Sequence, residues 1–145
     1  MQKTTQNKLL IGLSWLVITT ALGLLLLAGY WLFYPYKTTE FKSSVLRVES
    51  QTVKAGEDLV YYVDYCKYTD VLPEISKTFV DGIIYVAPPS ISSTKKGCGT
   101  NKIQVAVPKN LPAGVYHLNL TYRYKMNPVR EIDINIETEK FTVIK

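Results

Sequence analysis

From Leu9 to Tyr36 the chain carries no Asp, Glu, Lys or Arg. The stretch reads LLIGLSWLVITTALGLLLLAGYWLFYPY. Roughly 20 apolar residues in helical conformation cross a hydrocarbon core, so this run is long enough to cross with tilt. Helix is obligatory there, because lipid offers no partner to an unpaired N–H or C=O. The rival reading is a cleaved signal peptide, whose apolar part is about 7–15 residues and ends at a small-residue cleavage site. This run is longer and leaves through Tyr30, Trp31, Phe33, Tyr34 and Tyr36. Aromatic rings with a polar edge prefer the headgroup region, so these five are expected to form a membrane-interface belt. The expectation is an uncleaved single-pass anchor: residues 1–8 a tail, 9–36 the transmembrane helix, 37–44 a linker, 45–145 a separate domain. The lipid bilayer is the first expected partner.

Charge alone does not orient this anchor. Lys3 and Lys8 precede it; Lys37, Lys42 and Arg47 follow, diluted by Glu40 and Glu49. The rule counts Lys and Arg near both ends and finds no useful difference. The two cysteines, Cys66 and Cys98, both fall in the distal domain. A structural disulfide there fits an oxidising compartment, and two buried free thiols are the alternative. The expected arrangement is therefore N-terminus in the cytoplasm and domain outside it, periplasmic or otherwise extracytoplasmic. The net charge of +5 does not point to nucleic acid. The basic residues are scattered and never run longer than Lys95-Lys96, whereas a nucleic-acid surface concentrates them.

Beyond residue 44 the pattern changes from continuous to alternating. Strands are expected at 45–50, 59–68, 77–86, 102–107, 115–126 and 131–144, the last broken near 137–140. The clearest is 115–126, where Tyr116, Leu118, Leu120, Tyr122 and Tyr124 alternate with His117, Asn119, Thr121, Arg123 and Lys125. A period of two marks a half-buried strand. Ile132, Ile134 and Ile136 alternate with acids and Asn135 in the same way. Turn chemistry falls between the runs, at Gly56, at Pro112-Ala113-Gly114 and at Asn127-Pro128. Residues 88–100, rich in Ser, Gly and Lys, read as the longest loop. Short strands at about ten-residue spacing suggest an all-β sandwich or barrel of six to eight strands.

The sequence AVPKNLPAGVYHLNLTYRY resembles the corner and following strand of bacterial and phage immunoglobulin-like domains, and ESQTVKAGEDLVYYVDYC resembles their first corner. The resemblance implies an antiparallel immunoglobulin-like sandwich with Tyr116 near the tyrosine-corner place. With the anchor, the layout is similar to small phage-encoded membrane proteins. Two departures accompany it. No Trp stands in the expected third strand, and Leu118 stands where an antibody-type domain has its second Cys. If Cys66 and Cys98 pair, the bridge is expected to tie strand 59–68 to loop 88–100.

Constellations for catalysis are thin. His117 is the sole histidine and projects from the polar side of its strand, the place of an exposed spectator. Two cysteines are too few for structural zinc. Asp64 and Asp81 are the one carboxylate pair that could meet across a sheet, and no cleft is specified around them. Asp81-Gly82 reads more simply as a bulge. No enzyme, cofactor or metal site is expected. Asn119-Leu120-Thr121 fits a glycosylation pattern, but lies mid-strand.

Tyrosine is the unusual residue, with 11 in the chain. Tyr61 and Tyr65 share one face of their strand, Tyr62 and Tyr68 the other. Only one set fits a two-layer core, so the outward pair is a candidate contact surface, together with the loop lysines Lys95 and Lys96. Cross-strand packing is the plainer reading of the same tyrosines. Within the span, Gly12, Thr19 and Gly23 lie near one helical stripe, and Thr19-x-x-x-Gly23 would allow close helix approach, so homo-oligomers are among the expected states. The expected role is a membrane-tethered, non-enzymatic binding or assembly module whose partner is another membrane or envelope protein. An accessory subunit docking by its helix in a transport, secretion or phage-lysis complex is the alternative, and a hydrolase of envelope polymers trails both.

Overall fold

A computed structural model of the chain describes residues 2–81 and 83–145, with helix side chains at Lys8 and from Leu10 onward. It divides into two compact units, Met1–Tyr36 with Asn127–Arg130, and Lys37–Met126 with Glu131–Lys145.

The first unit is built on helix α1, Gln2–Phe33. The helix starts at Gln2 rather than Leu9, so the expected tail is continuous with it, and it stops at Phe33 rather than Tyr36. Pro35 sets that end, since a residue before proline is driven away from helical backbone angles. The polar side chains inside the helix bond their own backbone. Ser14 Oγ donates to the Leu10 carbonyl (3.0 Å), Thr19 Oγ1 to that of Trp15 (2.9 Å) and Thr20 Oγ1 to that of Leu16 (2.8 Å). Hydroxyls satisfied in this way are tolerable in an apolar setting.

The second unit is all β. It contains β1 (Thr39–Phe41), β2 (Val45–Leu46), β3 (Thr52–Lys54), β4 (Asp58–Lys67), β5 (Glu74–Asp81), β6 (Ile83–Ile91), β7 (Gly97–Ala106), β8 (Gly114–Asn127), β9 (Arg130–Thr138) and β10 (Phe141–Ile144), the far end of the β8–β9 turn belonging to the first unit. A three-stranded sheet runs β1-β4-β7. The larger sheet runs β2-β9-β8-β10-β3, with β5 and then β6 attached along the later part of β8. Long β8 therefore splits one edge between two partners, β10 over Gly114–Tyr116 and β5 over His117–Arg123. β2 with β9 and β3 with β10 pair in parallel, whereas β1–β4, β4–β7, β5–β6, β5–β8 and β8–β10 are antiparallel. The segment after β2 changes sheet: Leu46 pairs with Thr138, while Val48 bridges Tyr61 of the other sheet.

One core lies between the sheets. Leu59, Tyr61, Val63 and Val105 come from one side, and Phe79, Leu118, Leu120, Tyr122, Tyr124 and Phe141 from the other. Phe41 meets Tyr122 at 4.9 Å between ring centroids, and Phe79 meets Phe141 edge-on. Burial of this apolar surface is the main stabilising term.

Four expectations are corrected. Residues 77–86 are not one strand but the facing parts of β5 and β6, with Asp81 paired to Ile83; the expected bulge falls on Gly82, outside the described residues. Residues 88–100 are not one long loop, because β6 runs to Ile91 and β7 begins at Gly97. Among the described residues β6 pairs with β5 alone, and Pro88 and Pro89 fall where the register shifts between Ile75–Ser90 and Lys77–Ala87, so an edge strand with a bulge accommodates both. The stretch 37–44 is not a free linker, since β1 lies within it. The cysteines join strand to strand rather than strand to loop: Cys66 of β4 and Cys98 of β7 are direct register partners, bonded at 2.08 Å. The strand count among the described residues, ten, also exceeds the expected six to eight. The break expected near 137–140 is present between β9 and β10.

Candidate functional site

The period of two on β4 sorts its tyrosines as the sequence implied. Leu59, Tyr61, Val63 and Lys67 are buried, with Tyr65 half-buried on the same side, and Tyr62 faces outward. Tyr62 does not stand alone. Its hydroxyl donates to Glu49 Oε1 at 2.8 Å, Lys102 Nζ reaches the same oxygen at 2.7 Å, and the Arg47 guanidinium lies 5.2 Å from the ring centroid. The Lys102 bond first, and the Tyr62 hydroxyl second, hold the Glu49 carboxyl below the usual range; the same pairing raises Lys102.

Tyr68, one residue past β4, repeats the arrangement. Its hydroxyl donates to Glu40 Oε2 at 2.8 Å, Lys37 Nζ pairs with Glu40 at 3.0 Å, and that ammonium sits 4.0 Å from the Tyr68 centroid. Here the tyrosine hydroxyl is the larger cause of the lowered Glu40 carboxyl and Lys37 the next. Each outward tyrosine is thus clamped between an acid and a cation, which fixes its ring at little entropic cost to a later contact. Lys67 pairs with Gly97, so exposed Lys95 and Lys96 fall at the Tyr68 end, away from mid-strand Tyr62.

The carboxylate pair does not form. Asp64 lies on β4 and Asp81 on β5, in different sheets. Asp64 accepts from the Thr100 hydroxyl, and an Asp81 carboxylate oxygen lies close beside Gly114. His117 projects outward, 3.9 Å from Glu137. No cluster of three or more metal-ligating side chains occurs among the described residues. Asn119 is exposed in mid-strand, opposite Thr78. An open groove of about 600 Å³ is lined by Leu72, Glu74, Pro89, Ile91, Arg123 and Lys125, with Arg123 held by Asp133 at 3.0 Å.

In the helical unit the aromatic residues cluster. Tyr30 meets Tyr34 at a tilt and Tyr34 meets Tyr36 edge-on, each at 4.9 Å between centroids. Two residues of the Asn127–Arg130 turn finish the helix. Asn127 Nδ2 donates to the Trp31 carbonyl (3.0 Å), and Arg130 Nη1 to those of Leu32 (3.0 Å) and Tyr34 (2.6 Å). The last carbonyls of a helix lack internal partners, and a cation suits that end of the dipole. Sequence reasoning missed these two residues, because the Asn-Pro pair signalled only a turn. Along the span, nothing lies within 4 Å of a side chain added at Gly12 or Gly23, and Thr19 is bonded within its own helix.

No known protein-family model matches the chain, and no curated protein is similar enough in sequence to count as a relative.

Proposed function

We propose that this chain is a membrane-tethered, non-enzymatic binding or assembly module, holding an immunoglobulin-like sandwich outside the cytoplasm. The observation that carries the reading is the stretch Leu10–Phe33, long and apolar enough to cross a bilayer and with none of its residues buried. Leu25 is 70% and Phe33 83% exposed, a continuous apolar surface that water does not tolerate and lipid does. The aromatic cluster at its end and the capping by Asn127 and Arg130 favour a retained anchor over a cleaved signal, because a discarded segment gains nothing from either. The Cys66–Cys98 bond supports an oxidising side for the β unit.

The immunoglobulin-like reading is supported by Tyr116, whose hydroxyl donates to the Pro112 carbonyl four residues upstream at 3.1 Å, as a tyrosine corner would. Leu118 fills a fully buried place where an antibody-type domain has a cysteine. The disulfide departs from that family, linking neighbours in one sheet instead of two sheets. The contact surface we assign is the outer side of β4 with Tyr62 and Tyr68, extended by Lys95 and Lys96, and its partner is another membrane or envelope protein.

Alkaline extraction of membranes, followed by intact-mass measurement, tests the tether. The expected result is an unprocessed chain in the pellet, with the disulfide closed. A chain that begins after Ala28, or that is released into the supernatant, overturns it. The unobstructed Gly12 and Gly23 positions favour a second reading, an accessory subunit that docks by its helix. Exchanging the helix for an unrelated apolar one abolishes function only under that reading.

A further inference from the structure

The described chain buries one lysine, and does so without a carboxylate partner. Lys67 is 3% exposed, and no acid of the described residues lies within ion-pair distance of it. Asp70 favours its charge from further off, against the stronger effect of burial. A buried ammonium is costly unless its charge and its hydrogens are both answered. Among the described residues its acceptor is the Thr94 carbonyl, at 2.8 Å.

Lys67 also lines a small, partly open space of about 20 Å³, with Thr39, Tyr65, Ser92, Thr94, Asn101 and Tyr124 among its walls. That is room for about one water-sized occupant. Counting hydrogens shows what kind of occupant suits it. Thr94 Oγ1 accepts from Ser92 Oγ (2.9 Å) and from Asn101 Nδ2 (3.2 Å), so both its lone pairs are used and its own hydrogen is left to give. Thr39 and Tyr124 share one bond of 2.6 Å, and whichever donates, the other keeps a hydrogen. Lys67 retains two N–H groups and Asn101 one. Against these donors the polar side chains of the lining offer the Asn101 carbonyl, the hydroxyl oxygens of Tyr65 and Tyr122, each of which also brings a hydrogen, and one lone pair of Ser92 Oγ, and none of them carries a negative charge. A water would add two more donors. A monovalent anion only accepts, and it also balances the ammonium.

We propose that this space is a binding site for a small monovalent anion of chloride size, held by Lys67 with the hydroxyl of Thr94 and the Thr39–Tyr124 pair. The site closes the end of the core between the two sheets, where residues 92–96 pass from β6 to β7. Anion binding therefore stabilises the β unit, independently of whether the helix is in lipid.

The test is thermal unfolding of the full chain in mild detergent, followed by β circular dichroism, in sodium chloride against sodium gluconate at equal ionic strength. The unfolding midpoint should be higher in chloride, by about 6 °C when chloride is in tenfold excess over its dissociation constant. Lys67→Met should remove the difference, and Thr94→Val should reduce it. Equal midpoints for the unaltered chain in the two salts overturn the proposal and leave the space to water. A chloride effect that persists in Lys67→Met also overturns it, since the ion then acts elsewhere. If Lys67→Met does not fold, the salt comparison on the unaltered chain and on Thr94→Val still decides.

Discussion

Tyr61→Phe should stabilise this protein, although it removes a polar group from the centre of the core. Tyr61 is fully buried on β4, and among the described residues its hydroxyl has no hydrogen-bond partner. Burial, with Tyr122 nearby as the lesser cause, drives its ionisation far upward, as expected for a phenol in apolar surroundings. A buried hydroxyl without a partner costs roughly 1–3 kcal/mol on mutational evidence. Phenylalanine keeps the ring and gives up one oxygen, leaving a void smaller than a methyl group and a correspondingly small penalty. The net expectation is a gain of about 1 kcal/mol, or about 4 °C in the unfolding midpoint for a β unit of this size. Tyr124→Phe is the control with opposite sign. That hydroxyl shares a 2.6 Å bond with Thr39, so its removal strands a partner and should cost about 1 kcal/mol. Thermal and urea unfolding of the full chain in mild detergent reads both variants. If Tyr61→Phe lowers the midpoint, the hydroxyl has a partner in solution and the reasoning fails.

Three further outcomes follow from particular contacts. Opening the Cys66–Cys98 bond as C66A/C98A releases a loop with a sequence separation of 32. Chain entropy puts the loss at about 3.7 kcal/mol; a midpoint within 2 °C of the parent would show that β4–β7 pairing alone suffices. The Glu49 carboxyl is lowered on folding by Lys102 and Tyr62. Its contribution is therefore present above the unfolded carboxyl value and is lost as pH falls through the folded one. E49Q should accordingly flatten the decline in unfolding midpoint below about pH 4.5, and an unchanged slope would refute the pairing. Arg130→Ala leaves two carbonyls of the helix end without their donor. Hydrogen exchange at the Tyr34 amide, which bonds the Tyr30 carbonyl at 3.0 Å, should quicken about fivefold; equal rates would remove Arg130 from the cap.

Some of the candidate surface was legible in one dimension. Tyr62 outward and Tyr61 inward follow from the period of two, and the structure places them so. The clamping of Tyr62 was not legible, because Glu49 and Lys102 come from separate segments that meet only across β4. The Asp81-Gly82 pair illustrates the opposite failure. It reads locally as a bulge within one strand, and the pairing of β5 with β6 on one side and β8 on the other, which divides that stretch into two strands, is not recorded in the local pattern. The loop expected at 88–100 rested on its Ser, Gly and Lys content, and the run of β6 to Ile91 and the start of β7 at Gly97 replace most of it with strand.

By itself the sequence determined what depends on neighbours along the chain. An uncharged run beyond twenty residues must become helix in any medium that suits it, and alternation on β8 must put one side chain in and the next out. Tertiary structure alone decided what depends on residues far apart. It set the register that brings Cys66 to Cys98, sent Asn127 and Arg130 to a helix end more than ninety positions away, and enclosed Lys67 beneath Thr94. The physical reason is that periodicity reports which side of an element is apolar. It carries no record of which other element will cover that side, nor of which polar groups will be enclosed when it does.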